Sequence, residues 1–331
     1  VRLDDLRDWI DADFGVRFVE VTPIGHGADA AASVWQVTQR DRTRYAVKWS
    51  GGGSAAGLLL PARLAELGVD GVPAPVRTHE GGLWSERDGR RLSVQPWVAD
   101  RRAVDTAMTP AQWTAYGALL ARVHAVPTAD TVVRALPVED HRPDELLATT
   151  ATVTARLGGA GDDGDDLVRG LAAAWRGGAG LLGALTARAA VLGDGLRDRT
   201  AHPVAVCHTD AHLGNVLLGD DGTVWLIDWD DATLAPPERD LMFVVGGLPG
   251  FAPVGARELA WFAAGYGPVD PDPDRLAYYR TVRALADLTE FAVEILDHDV
   301  GREGREFALR IVRAELAGAG LAALAVADHG A

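Results

Sequence analysis

Residues 204–240, reading VAVCHTDAHLGNVLLGDDGTVWLIDWDDATLAPPERD, constrain this chain more than any other stretch. Two short apolar runs rich in strand formers, 216–219 and 224–227, flank Asp221-Gly222, the pair most favoured in a two-residue type I′ turn. Such a turn predicts the cross-strand pairs Gly219/Val224, Leu218/Trp225, Leu217/Leu226 and Val216/Ile227, with Asn215 opposite Asp228 as the next pair out. An amide oxygen and a carboxylate meeting at a hairpin mouth suit Mg²⁺, a hard cation that takes one or two protein oxygens and fills its remaining positions with water and phosphate. Asp220 and Asp221 read simply as turn formers.

Just before the hairpin, His208-Thr209-Asp210-Ala211-His212-Leu213-Gly214-Asn215 has the H-x-D-x-x-x-x-N spacing of a kinase catalytic loop, and Ile227-Asp228-Trp229 stands where a kinase has its metal-binding Asp-Phe-Gly. Asp210 is then placed to accept a hydroxyl proton, and Asn215 and Asp228 to hold the metal. The bland alternative is an acidic hairpin whose Asp residues are caps and turns. It does not explain why His, Asp, Asn and Asp all fall in register with the turn.

Composition narrows the setting. A chain of 331 residues with 48% hydrophobic and 24% charged residues is long enough for two packed units. A formal net charge of −15 speaks against a nucleic-acid partner and favours a cationic small molecule. The lone cysteine, Cys207, excludes an intramolecular disulfide and reads as a small core residue. No uninterrupted apolar run long enough for a bilayer and no signal-peptide pattern are visible, so no membrane association and a cytoplasmic location are expected.

Along the chain, a short amphipathic helix at 3–10 precedes a strand meander over 17–49. Gly25 and Gly27 lie after its first strand, where backbone N–H groups can approach a phosphate. Lys48 ends an Ala-Val-Lys run on the third strand, the place of a nucleotide-binding lysine. A glycine-rich loop at 51–53 leads to a helix over 55–67 that holds no acid before Glu66. A strand pair around Arg87-Asp88-Gly89-Arg90 ends at Gln95-Pro96-Trp97, and there the pattern changes from strands to helices. We therefore expect a β-rich nucleotide lobe over 1–97 and a mainly helical lobe over 98–331, with adenine meeting the Gln95 carbonyl and the Trp97 N–H because Pro96 has no N–H to give. Thr109-Pro110-Ala111-Gln112 is a capping-box helix start. Helices are further predicted at 142–157, 165–196, 255–265, 273–297 and 302–326, and Asp287 and Glu290 on the long one, with Asp230, are candidate contacts for a cationic substrate.

Taken together, these residues resemble the aminoglycoside phosphotransferase family, most closely its spectinomycin branch. The resemblance rests on Gly27-Ala28-Asp29, Lys48, Gln112-Trp113, the run from Cys207-His208 to Asn215-Val216-Leu217, Ile227-Asp228-Trp229-Asp230, Leu234-Ala235-Pro236, Glu238-Arg239-Asp240-Leu241-Met242-Phe243, Gly265-Tyr266-Gly267 and Tyr278-Tyr279-Arg280. It implies an α+β, bilobal, protein-kinase-like fold. By position it also implies Asp210 as catalytic base with His212 near the γ-phosphate, Lys48 on the nucleotide, Asn215 and Asp228 on Mg²⁺, and ATP, or GTP, as donor. The implied acceptor is an antibiotic hydroxyl, and the implied state a monomer or homodimer. The family's helix glutamate opposite the lysine is missing, Ala56 standing in its place, which leaves the partner of Lys48 open, with Asp228 one candidate. A kinase of another metabolite or peptide antibiotic, or a nucleotide-binding pseudokinase, fits the same motifs.

Overall fold

The computed structural model describes residues 2–24, 32–52, 54–159, 165–199 and 203–327. Its strands are β1 (Phe18–Pro23), β2 (Ala32–Gln39), β3 (Arg44–Ser50), β4 (Ser85–Arg87), β5 (Arg90–Pro96), β6 (Arg101–Arg102), β7 (Ala205–Cys207), β8 (Val216–Leu218), β9 (Val224–Leu226), β10 (Thr233–Ala235), β11 (Gly247–Leu248) and β12 (Ala252–Pro253). Helices α1 (Leu3–Phe14), α2 (Ala56–Glu66) and α3 (Pro110–His124) accompany the early strands. Later come α4 (Asp144–Gly159), α5 (Asp166–Gly177), α6 (Ala179–Arg197), α7 (Glu238–Leu241), α8 (Ala256–Tyr266), α9 (Pro273–Leu296), α10 (Arg302–Leu316) and α11 (Leu321–Ala327). The sheet-rich N-terminal part and helical C-terminal part make the chain α+β, as expected. By compactness it divides into two units: Val1–Pro137 with Ala205–Leu234 and Arg257–Val269, and Val138–Val204 with Ala235–Ala256 and Asp270–Ala331. The change from strands to helices after Pro96 thus falls inside the first unit.

In the first unit an antiparallel sheet runs in the order β1-β2-β3-β5-β4. Leu6, Ile10 and Phe14 of α1 cover one face, packing with Trp35, Val37, Val47, Leu92 and Val94. These sheet residues recur at every second position because successive side chains on a strand point to opposite faces. Lys48 follows Val47 and so projects from the face that α1 does not cover. The β4–β5 turn is Asp88-Gly89 with φ of 52° and 71°, the left-handed pair a two-residue hairpin needs. Helix α3 starts with the full capping box: Thr109 accepts from the Gln112 N–H, and Gln112 accepts from the Thr109 N–H.

The hairpin β8–β9 forms, but not in the expected register. Leu218 pairs with Val224, Leu217 with Trp225 and Val216 with Leu226, and the Ile227 N–H donates to the Asn215 carbonyl at 3.0 Å. The predicted pairing was therefore one residue out. The turn has three residues, not two: the Gly222 N–H donates to Gly219, the Gly219 N–H donates to Thr223, and Gly222 sits at φ 88°. This is a type I turn closed by a left-handed glycine, the other solution an Asp-Gly pair permits.

The second unit is mainly helical, with a short antiparallel pair, β11–β12. Its core gathers Leu157, Leu171, Trp175, Leu185, Leu285, Leu288, Ile295, Leu309 and Val312, with the 24-residue α9 contributing to its centre. Where one helix was expected over 165–196 there are two, α5 and α6, divided at Gly177-Gly178, where glycine removes side-chain packing and adds backbone freedom. Helix α6 is long and apolar enough to cross a membrane by length and composition, and its Leu182 and Leu185 join this core.

Candidate active site

The site is built on the loop between β7 and β8, and local contacts fix its shape. His208 is fully buried; its Nδ1 accepts from the Asp210 N–H at 3.2 Å, so its Nε2 carries the proton and donates to the Ile227 carbonyl at 2.8 Å. The ring meets Trp229 edge-on, centroids 4.5 Å apart. One imidazole thereby ties the β7–β8 loop to the turn carrying Asp228. Thr209, at φ 73°, is a buried β-branched residue in the left-handed region, a costly conformation held by its hydroxyl donating to the Asp231 carbonyl at 3.0 Å. From α3, the Tyr116 hydroxyl donates to the Ala211 carbonyl.

Asp210 and Asn215 are joined directly. Asn215 Nδ2 donates to the Asp210 carbonyl and to its Oδ2, both at 2.9 Å. With the amide nitrogen so committed, Oδ1 is the Asn215 atom suited to a cation. His212 Nδ1 accepts from the Gly214 N–H at 2.9 Å, which puts its proton on Nε2, 3.4 Å from Asp210 Oδ2. Both side chains orient the Asp210 carboxylate.

Asp228 has left the strand. At φ 68° it adopts a left-handed conformation that Asp tolerates better than most residues. Since Ile227 takes the place opposite Asn215, this bend is what redirects the Asp228 side chain. Desolvation by surrounding protein, then the Asp230 carboxylate, push Asp228 above the usual carboxylate range, with Asp210 adding to the effect and Lys48 and His208 opposing it. The Asp228 side chain remains exposed, so protein shields it on one side only and the neighbouring charges weigh heavily. Three carboxylates crowded together, only partly offset by one ammonium group, form an oxygen donor set fit for a divalent cation.

Lys48 lies close enough for its charge to act on Asp228. Its ammonium donates to Asp230 Oδ2. It is also the sole lysine of the chain, the other 31 basic residues being arginine. A chain that uses arginine everywhere else keeps a compact point charge at this position, a preference the composition contained and motif reading passed over. Asp230, expected on the substrate side, is thus brought to Lys48.

The other expected positions are placed as follows. Gly25 and Gly27 lie outside the described residues. Gln95 stands in register with Ala46, and the Trp97 N–H donates to the Arg44 carbonyl at 3.0 Å. On the other edge of β5 the Val94 carbonyl accepts from the Val76 N–H. Backbone groups of alternate residues face opposite edges of a strand, so Gln95 and Trp97 address β3. The expectation that these two offer an adenine edge is corrected: the Pro96 carbonyl faces away from β3. In the second unit, Asp287 accepts from Arg283 Nε at 2.7 Å, and Glu290 is exposed on the same helix. Tyr116 adds a brace that the letters do not reveal, because nothing in them distinguishes a buried Tyr hydroxyl that holds a loop.

Comparison with known proteins places the chain. Among solved structures, spectinomycin phosphotransferase APH(9)-Ia in complex with ADP and spectinomycin superposes with a TM-score of 0.87 at 22% identity, covering 99% of this chain and 98% of that one. The amicoumacin kinase hAmiN, in complex with AMP-PNP, Ca²⁺ and Ami, gives a TM-score of 0.61 at 14% identity, covering 97% and 95%. Macrolide 2'-phosphotransferase MphH from Brachybacterium faecium gives 0.55 at 16% identity, covering 95% and 98%. At these identities the likeness establishes a shared kinase-like fold. No curated protein sequence matches. The profile of the phosphotransferase enzyme family matches residues 20–279, and with that match spanning most of its length the chain belongs to this family and is a phosphotransferase.

Proposed function

We propose that the chain transfers the γ-phosphoryl group of a nucleoside triphosphate to a hydroxyl of an aminocyclitol or aminoglycoside antibiotic of the spectinomycin kind, in the cytoplasm, and so confers resistance. The observation that carries this reading is the double hydrogen bond from Asn215 Nδ2 to Asp210, which fixes a base and a metal ligand as one unit. Asp210 aligns the acceptor hydroxyl and takes its proton as a bond forms between that oxygen and the γ-phosphorus. The bond from the γ-phosphorus to the bridging oxygen breaks, and the nucleoside diphosphate leaves. His212 holds Asp210 in position, and its Nε2–H is directed to where negative charge is transferred. Lys48 neutralises the nucleotide's phosphates. Asn215 Oδ1 and Asp228 would hold Mg²⁺, which when bound neutralises phosphate charge. Transfer of this kind rests on positioning and charge more than on covalent chemistry.

The adenine edge is assigned to the Pro96 carbonyl, at the end of β5 on the edge that faces away from β3, and to the Val98 N–H two residues on. An acceptor followed by a donor suits the amino group and N1 of adenine, and guanine presents the opposite order. ATP is therefore the expected donor, ahead of GTP. The net charge of −15 favours a cationic acceptor. Asp287 and Glu290 are the candidates for its ammonium groups, Asp287 only in competition with Arg283.

The test is incubation with Mg-ATP or Mg-GTP and a panel of spectinomycin, aminoglycosides and small alcohols, read by mass spectrometry for the gain of about 80 Da that one phosphoryl group adds. Phosphorylated spectinomycin is the expected product. Transfer to another class of alcohol alone would replace the substrate, and nucleotide binding without transfer to any acceptor would overturn the reading.

A further inference from the structure

Lys48 needs a carboxylate to hold it, and α2 offers none nearby. Its one acid, Glu66, lies in the last turn, where it forms ion pairs with Arg63 and Arg77 at 3.0 and 2.9 Å. A carboxylate that does reach Lys48, that of Asp230, comes from 182 residues away. It sits on a turn fixed from both sides. Trp229, 2% exposed, donates its indole N–H to the Leu226 carbonyl at 2.9 Å, and the Asp231 carbonyl accepts from Thr209.

Helix α2 makes room for that turn. A Cβ at Gly57, in its first turn, would lie 1.8 Å from Asp230 Oδ1, 2.9 Å from its Cγ and 3.1 Å from its Cα. The last contact is backbone, so rotation of the Asp230 side chain could not relieve the crowding completely. We propose that Asp230 is the positioning residue of Lys48, doing from the metal-binding turn what an acid on α2 would otherwise do, and that Gly57 lacks a side chain in order to admit it. This rests on the reading of Lys48 as the lysine that meets the nucleotide's phosphates. Its consequence is mechanical: the lysine's anchor and the metal ligand Asp228 are two residues apart on one turn, so Lys48 is placed together with the metal site and not by α2.

The sole lysine makes this testable without turnover. Its ε-amine is the one side-chain amine that an acylating reagent can modify, and peptide mass spectrometry separates it from the chain terminus. Asp230→Asn should release the amine and raise its acylation rate in the unliganded protein. It should also weaken ADP binding, measured by calorimetry, about tenfold, and raise the KM for nucleotide more than it lowers kcat. In a Lys48→Met background the same substitution should cost nothing further, because both changes remove one interaction. Gly57→Ala, checked by thermal melting to be folded, should reproduce the released amine and the weaker ADP binding. If Asp230→Asn leaves the acylation rate unchanged, or exerts its full effect in the Lys48→Met background, Asp230 acts on something other than Lys48 and the proposal falls. If Lys48→Met itself leaves ADP binding and turnover intact, the lysine's part in the proposed function fails, while the acylation rate still judges the ion pair on its own.

Discussion

Around Asp210 the bracing is local: the contacts of His208, His212 and Asn215 link residues two to nineteen positions apart, within one loop and its hairpin. Around Lys48 the observed ion pair spans 182 positions. A local network takes its shape as soon as the hairpin closes, because each contact costs little further chain entropy. A long-range pair depends on the packing of β3, α2 and the turn that carries Asp228 and Asp230 against one another. On the proposed function, phosphoryl transfer draws on one region that is nearly self-contained and another that reports the packing of the whole first unit.

The contrast can be broken at several depths. The largest effect is expected from Asp210→Asn, a loss of about 10² to 10⁴ in kcat. Because Asn keeps the shape of the loop, ADP affinity measured by calorimetry should hardly change; a parallel loss of binding would mean that the region is not self-contained. Asp228→Asn should likewise abolish Mg²⁺-dependent turnover, yet raise the melting temperature of the unliganded protein by about 1–3 °C by relieving the crowding with Asp230 and Asp210. A lower melting temperature would show that the carboxylate contributes structure. Tyr116→Phe removes a brace that comes from α3, leaves the Ala211 carbonyl without that donor, and should cost about 1–2 kcal/mol in denaturant unfolding, with kcat falling several-fold. The smallest change is expected of Gly222→Ala. Strain at φ 88° should lower stability by about 1 kcal/mol while kcat stays within twofold, since the turn lies at the far end of the hairpin from the catalytic groups.

The same division explains what could be read from the letters. The catalytic loop, the hairpin, the capping box at Thr109 and the change from strands to helices after Pro96 all depend on residues within a dozen positions of one another. The hairpin register was misread because Asp-Gly serves two turn types, and the choice between them moves every pair by one residue. The side on which Gln95 and Trp97 present their backbone groups depends on strand parity, which emerges only when the pairing of Arg44 with Trp97 is known. The partner of Lys48 was illegible for a different reason. Gly57 carries information only through what it leaves out, and a missing side chain has meaning only beside the group that fills its space.

The sole lysine has one further consequence. A protease that cuts only after lysine has a single susceptible bond in this chain of 331 residues, Lys48-Trp49, and that bond lies within β3, paired on one side to β2 and on the other to β5. A strand with ladders on both edges cannot enter a protease cleft until it has come out of the sheet. The cleavage rate therefore measures how often the N-terminal sheet opens, and its slowing by nucleotide would give the free energy with which a ligand locks that sheet, undisturbed by fraying anywhere else in the molecule.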